Sequence, residues 1–172
     1  MWQQLALWDK RGFYWLHQFS RQPLSQWLAR NFSRSGDGYG YALFGVIAAF
    51  ADPELGPTFF LLLLTAYAIE LPAYWFLKNR LQRARPCQVL TGCQPLVDPH
   101  DKFSFPSGHS AAAFLFATVL GWYIPQLAIL AWSWATLVAC SRVVLGVHYP
   151  GDIFAGASLG LVAATISLTV VI

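Results

Sequence analysis

Polar positions divide this chain unevenly. Over residues 1 to 34, Asp9, Lys10, Arg11, Arg21, Arg30 and Arg34 interrupt every stretch as long as a membrane-crossing helix, and Pro23 breaks it again. Between them recur Trp2, Leu5, Trp8, Phe13, Trp15, Leu16, Phe19, Leu24, Trp27, Leu28 and Phe32. Rings and aliphatic groups alternating with arginines are the pattern of helices that lie in the membrane interface. Ser35-Gly36-Asp37-Gly38 is a turn that ends this region. Beyond it come five apolar segments: Tyr39 to Ala51, Pro57 to Leu77, Ser107 to Ile124, Pro125 to Leu145, and Gly151 to Ile172. The last four have the length of transmembrane helices, whereas the first needs a tilt, local thinning or residues before Gly38. The pattern predicts an all-α integral membrane bundle of five to six transmembrane helices with N-terminal interfacial helices. The whole chain, 1–172, is one domain: 1–34 is its interfacial segment and 35–172 its helical bundle.

Composition agrees with that reading and excludes others. Of 172 residues 56 % are hydrophobic and only 11 % charged, against roughly a quarter charged in a soluble domain. A formal charge of +3, with no Lys/Arg run and no zinc-finger spacing, gives nucleic acid no purchase. Membrane lipid, anionic lipid above all, is the natural partner. Cys140 lies in an apolar run and packs there, Cys87 and Cys93 lie in a polar loop, and no Cys/His cluster has zinc spacing. Gly156 and Gly160 give the last helix a face of small residues for close packing. Glu70 sits inside the second apolar segment, two residues before Pro72. It either faces a wet interior or bonds a backbone carbonyl freed by the Pro72 kink, and the residues leave both readings open.

The remaining polar residues fall into three groups at the ends of apolar segments. Lys78 and Arg85 are seven apart, which on a continuous helix puts two cations on one face, with Arg85-Pro86 closing the helix. Pro106-Ser107-Gly108-His109 opens the next segment, where free amides, the helix dipole, the Ser107 hydroxyl and the bare Gly108 backbone favour an anion. Ser141-Arg142, then His148 and Asp152, flank the last turn: an arginine for a phosphate or carboxylate, and a histidine with a carboxylate four residues on to orient it. Taken singly, each has an ordinary explanation in snorkelling, helix capping or a loop histidine.

Joined, Lys78-x6-Arg85-Pro86, Pro106-Ser107-Gly108-His109 and Ser141-Arg142-x5-His148-x3-Asp152 resemble the type 2 phosphatidic acid phosphatase superfamily in the order and spacing of its three motifs. The likeness covers roughly residues 35 to 160. The chain departs from six-helix members at its N-terminus, where they have a clear first span. The resemblance implies a phosphohydrolase that uses no metal and no other cofactor. In it His148 attacks phosphorus, Asp152 holds the His148 ring, and His109 protonates the departing oxygen, while Lys78, Arg85, Ser107, Gly108 and Arg142 bind phosphate. The residues support a metal-free site independently, since three cations repel a divalent ion and neutralise a phosphate.

A site at headgroup level suits a lipid phosphate whose tail stays in the bilayer. Resemblance to small bacterial members favours undecaprenyl diphosphate. Phosphatidylglycerophosphate, phosphatidic acid and lipid A phosphates, or transfer to another acceptor, are the alternatives. A rival of another class is a lipid-phosphate binding or transport protein, which needs the cations but neither histidine nor Asp152. The expected location is a bacterial inner membrane. With five spans the eleven Lys and Arg crowd the site's side, which the positive-inside rule assigns to the cytoplasm. Cys87 and Cys93 close a disulfide only on an oxidising face, and together with the family resemblance they tip the expectation to the periplasmic side. Nothing in the sequence fixes an oligomeric state.

Overall fold

The computed structural model describes residues 2–99 and 101–172, without the side chains of Trp2, Gln3 and Leu5. The interfacial placement of Trp2 and Leu5 therefore lies outside the described residues. Eight α-helices follow one another: α1 Trp2–His17, α2 Pro23–Ser35, α3 Tyr39–Ala51, α4 Gly56–Leu81, the short α5 Pro86–Val89, α6 Gly108–Tyr123, α7 Ala128–Val144 and α8 Pro150–Val171. Among the described residues there is no strand.

Proline and serine set the helix starts. Pro23, Pro57, Pro86 and Pro150 each stand in a first turn, where a missing N–H costs nothing. Ser107 caps α6 by accepting the Ser110 N–H at 3.4 Å. Three helical segments, within Gly56–Val89, Pro125–Val144 and Pro150–Val171, are long and apolar enough to cross a membrane. At 16 residues α6 is shorter, and it holds the centre, packed against α4, α7 and α8. Its Ala111, Ala113, Leu115, Ala117 and Val119 are fully buried. The outer helices instead show large apolar residues outward, among them Trp75, Ile129, Phe154 and Val170, as lipid-facing surfaces do.

Two expectations change in detail. The helix of the second apolar segment is not closed by Arg85-Pro86; it ends at Leu81, where Gln82 turns left-handed at φ 47°. Arg85 is consequently not on the α4 face with Lys78; it caps α5 in extended backbone, and it approaches Lys78 from the loop instead. The amphipathic N-terminal segment does form helices, and Trp8, Trp15, Leu24 and Trp27 are exposed on them as interfacial helices require. Its inner face, however, is built into the fold: Phe13 is fully buried against Tyr149, and α2 packs on α7.

The helices α6 and α8 cross in direct backbone contact. A Cβ at Gly156 would stand 2.2 Å from the Ser107 carbonyl oxygen, and one at Gly160 2.1 Å from that of Ala111. No side chain fits there, so the two backbones touch directly, as small residues permit. Gly160→Ala should therefore lower stability by more than about 2 kcal/mol, read as a fall in Tm of the detergent-solubilised protein. Gly156→Ala should perturb the neighbouring Ser107 as well. Unchanged Tm in both variants would show that the helices can separate freely.

Candidate active site

All three groups of polar residues meet at one end of the bundle. Ser107 and His109 stand at the start of α6, Arg142 in the last turn of α7, His148 in the loop that follows, and Asp152 in the first turn of α8. Gly146, at φ +81°, turns that loop back, and its Val147 N–H donates to the Arg142 carbonyl at 3.2 Å. The two helix starts are tied together by the Ser107 N–H donating to the Asp152 carbonyl at 3.0 Å.

His148 is 2 % exposed and Asp152 fully buried. Their closest approach, His148 Nδ1 to Asp152 Oδ2, is 3.7 Å, too long for a hydrogen bond. Among the described residues Nδ1 has no hydrogen-bond partner. The carboxylate is held from elsewhere: Oδ2 accepts the Tyr149 N–H at 2.7 Å and Oδ1 accepts Arg83 Nη1 at 2.7 Å. Burial, reinforced by Arg142 and partly offset by Asp152, pulls the His148 imidazole down to about 4. It is therefore neutral at physiological pH, the form in which an imidazole nitrogen can act as a nucleophile.

The cations are arranged with partners of their own. Lys78 Nζ and Arg85 Nη2 both grip Asp101, at 2.7 and 2.6 Å, and Tyr74 donates to the same carboxylate at 2.7 Å. Burial alone would raise the Asp101 carboxyl, but those bonds and charges outweigh it and hold it below its ordinary value. Arg85 Nη1 also donates to the Val147 carbonyl at 2.6 Å, which fixes the guanidinium beside the His148 loop. Arg142, within electrostatic reach of Arg85 and Asp101, donates from Nη1 to Ser33 and leaves a buried Nε without a partner. His109 Nε2 meets Asp37 Oδ1 at 2.9 Å. Gly108 lies under the Tyr74 ring, where a Cβ would come within 3.0 Å. Ser107 is fully buried and its hydroxyl accepts from Ser110 Oγ at 2.9 Å.

Four acidic or basic residues of this network carry no signal in the sequence pattern. Asp37 lies in what reads as a plain turn, Asp101 in the long loop, Asp9 among the interfacial charges, and Arg83 two residues before the motif arginine. Arg83 bridges Asp152 and Asp9, the latter at 2.5 Å, and lies 4.1 Å over the Tyr149 ring. Asp9 in turn accepts the Gly151 N–H at 2.7 Å. Only the closeness of Arg83 to Arg85-Pro86 in sequence hints at its place.

His17, Cys87 and Cys93 have their nitrogen and sulfur atoms within 4.8 Å of one another. Cys87 and Cys93 stand with Cα atoms 4.9 Å apart and sulfurs at bonding distance. From His109 a cleft of about 580 Å³ runs between α3, α4 and α6 toward Gly45, Phe60 and Leu63. The assembly thus has a neutral buried imidazole facing a carboxylate, a second histidine, three cations and a groove leading into the apolar layer. Such a set can bind a phosphorylated amphiphile and place a nitrogen against phosphorus.

The family model described as the PAP2 superfamily matches residues 58–172. Phosphatidylglycerophosphatase B of Bacillus subtilis is 37 % identical over 112 residues, 59 % of this chain and 52 % of that protein. A putative undecaprenyl-diphosphatase, YbjG of Escherichia coli, is 34 % identical over 98 residues, 56 % of this chain and 49 % of that one. The match spans about half the length of each of these two relatives. The crystal structure of Aquifex aeolicus LpxE superposes with a TM-score of 0.82 at 29 % identity, covering 91 % of this chain and 92 % of the other.

Burial makes a direct prediction for His148. The unfolded chain takes up a proton near the ordinary 6.5, while the folded chain refuses it until about 4. As pH falls through that window this group therefore destabilises the fold. The His148 ring resonances should titrate near 4 in the substrate-free protein. A midpoint at or above the ordinary value would show that Asp152, not burial, governs the ring.

Proposed function

We propose that this chain, which belongs to the PAP2 superfamily, is a membrane lipid phosphatase that removes a phosphate or diphosphate monoester through a phosphohistidine intermediate. The observation that carries the reading is the buried, neutral His148 with its Nδ1 edge toward Asp152 and Lys78, Arg85 and Arg142 grouped around it. A lipid-phosphate carrier needs the cations alone. A buried imidazole paired with a buried carboxylate costs stability that binding does not repay.

In the first step His148 Nε2 attacks phosphorus, forming an N–P bond as the P–O bond to the lipid breaks. Asp152 faces the charge that appears on the ring, and Arg83 and the Tyr149 N–H hold Asp152 in place. His109 gives its proton to the departing lipid oxygen: burial and Arg142 disfavour the charged ring in the substrate-free protein, and the bound phosphate dianion, together with Asp37 at 2.9 Å, brings the proton on. Lys78, Arg85 and Arg142, with the amides that open α6 at Ser107 and Gly108, neutralise the three equatorial oxygens. Water then attacks the phosphohistidine, His109 takes its proton, the N–P bond breaks and phosphate leaves. A phosphate seated between Lys78 and Arg85 competes with Asp101 for the same donors. No metal enters either step, because three fixed cations already supply the positive charge.

Undecaprenyl diphosphate is the substrate that the sequence brings forward, with phosphatidylglycerophosphate, phosphatidic acid and lipid A phosphates as alternatives. A phosphate-release assay in mixed micelles against these lipids tests the activity. His148→Ala should lower release by about a thousandfold or more while a filter assay still detects lipid phosphate binding. His109→Ala should lose less on substrates with a good leaving group. Activity should survive excess chelator and be blocked by vanadate. Near-normal turnover in both histidine variants, or loss in chelator with recovery on adding zinc or magnesium, would sink the mechanism.

The site's periplasmic placement in a bacterial inner membrane rests on the cysteines. A bond between Cys87 and Cys93 forms on an oxidising face, and it braces the turn after Arg85-Pro86 against the Gly146 loop, where Cys87 Sγ leaves no room for a Cβ. In intact cells both thiols should resist alkylation until reductant is added, as read by mass. Labelling without reductant, and only after the inner membrane is permeabilised, would put the site in the cytoplasm.

A further inference from the structure

Along α4 the wall of the cleft carries Leu63, Tyr67, Glu70 and Tyr74, spaced four, three and four apart on one helical face that continues to Lys78. At 1.5 Å per residue, Glu70 lies about 12 Å below Lys78 along the axis. The cleft is thus graded. His109 and Tyr74 form its phosphate end, Glu70 and Tyr41 its waist, and Gly45, Phe60 and Leu63 its apolar end.

The waist is polar without being satisfied. Glu70 is 2 % exposed, and among the described residues it makes no hydrogen bond. In particular it does not bond the Ala68 carbonyl that Pro72 leaves free, which removes the packing explanation for a carboxyl at this depth. The Tyr41 hydroxyl, on the same cleft, is buried and has no partner among the described residues. Tyr67 reaches the Ala112 carbonyl only at 3.4 Å. Two unpartnered polar groups facing one groove are costly unless a ligand supplies their bonds.

We propose that Glu70 is a specificity-determining residue: it accepts a hydrogen bond from a free hydroxyl or amide N–H that the lipid carries between its phosphate and its acyl chains, so that the cleft prefers lipid phosphates with such a donor, on a head-group glycerol or an acylated sugar, over the polyprenyl diphosphates that the sequence brings forward. The inference rests on the phosphatase reading. A carboxyl group accepts such a bond in either protonation state. An isoprenoid chain lying in the same groove sets only C–H groups against Glu70 and Tyr41 and leaves both unpaired. A site built to bond a donor discriminates strongly against a ligand that lacks it.

The test compares wild type, Glu70→Gln and Glu70→Leu on three lipids in identical mixed micelles: phosphatidylglycerophosphate, an N-acylated glucosamine lipid 1-phosphate, and undecaprenyl diphosphate. Wild type should favour one of the first two, and that preference tells a glycerol from a sugar backbone. Glu70→Leu should lower kcat/KM on the favoured lipid about tenfold or more and change undecaprenyl diphosphate turnover less than about twofold. Glu70→Gln, which keeps an acceptor oxygen, should fall between. Should the leucine variant not fold, wild type on a phosphatidylglycerophosphate or glucosamine lipid lacking the free donor gives the same reading from the substrate's side. Equal losses on all lipids, no loss, or no effect of deleting the substrate's donor would overturn the inference while leaving the phosphatase intact. Absence of phosphate release by wild type from any of the three would overturn the phosphatase reading, and the inference with it.

Discussion

Gly156 and Gly160 let α8 lie against the backbone of α6, and the position of nearly every polar group follows from that crossing. Contact at Ser107 and Ala111 leaves no thickness for side chains between the helices, so the first turns of both come side by side. One hydrogen bond, Ser107 N–H to the Asp152 carbonyl at 3.0 Å, fixes their relative height. The amides that open α6 then face the same space as the His148 loop. Two helix starts in one place concentrate positive dipole ends, and an anionic ligand gains from both. A larger residue at either glycine would part the helix starts before it disturbed the apolar core.

Charge in such a setting has to be compensated locally, since burial of an unpaired ion costs several kcal/mol. The structure does this with carboxylates drawn from distant parts of the chain. Asp101 serves Lys78 and Arg85, Asp9 and Asp152 share Arg83, and Asp37 serves His109. Because Asp9 lies within α1 and Asp37 just after α2, the N-terminal segment is more than a float on the membrane surface. It closes the site from outside, and its exposed Trp8, Trp15 and Trp27 tie that closure to the interface. Asp9 also bonds the Gly151 N–H, so the first helix and the first turn of the last one share a single carboxylate.

What the sequence made legible was local. The apolar segments, the Ser107 cap and the three motifs all follow from residues within a few positions of one another, where periodicity and capping act. The α4 terminus was not legible, because nothing in Gln82-Arg83-Ala84 announces the left-handed turn at Gln82 that stops the helix before it reaches Arg85. The placement of Arg85 on the helix face failed for that reason. Asp9, Asp37 and Arg83 were missed for another: their partners lie 142, 72 and 69 positions away in the chain. Patterns one or two turns long carry no trace of such pairings. Glu70 stood out from the sequence because a carboxylate inside an apolar run is conspicuous, yet only the fold could separate a helix-packing role from a cleft-facing one.

Among the cations Arg142 is bonded differently from the other two. Lys78 and Arg85 share a full negative charge in Asp101, whereas Arg142 has a neutral hydroxyl on one nitrogen and nothing on the buried Nε. Its charge is the least compensated of the three, and it stands at the end of α7, next to the loop that carries His148. In the proposed reaction an incoming phosphate therefore gains most by binding Arg142 first, since no internal carboxylate must be displaced there. Lys78 and Arg85 can exchange Asp101 for phosphate oxygens only with a compensating rearrangement of the loop that holds it. That order puts phosphorus beside His148 before the remaining cations close on it, and it makes Asp101 a competitor that any weakly bound anion must overcome.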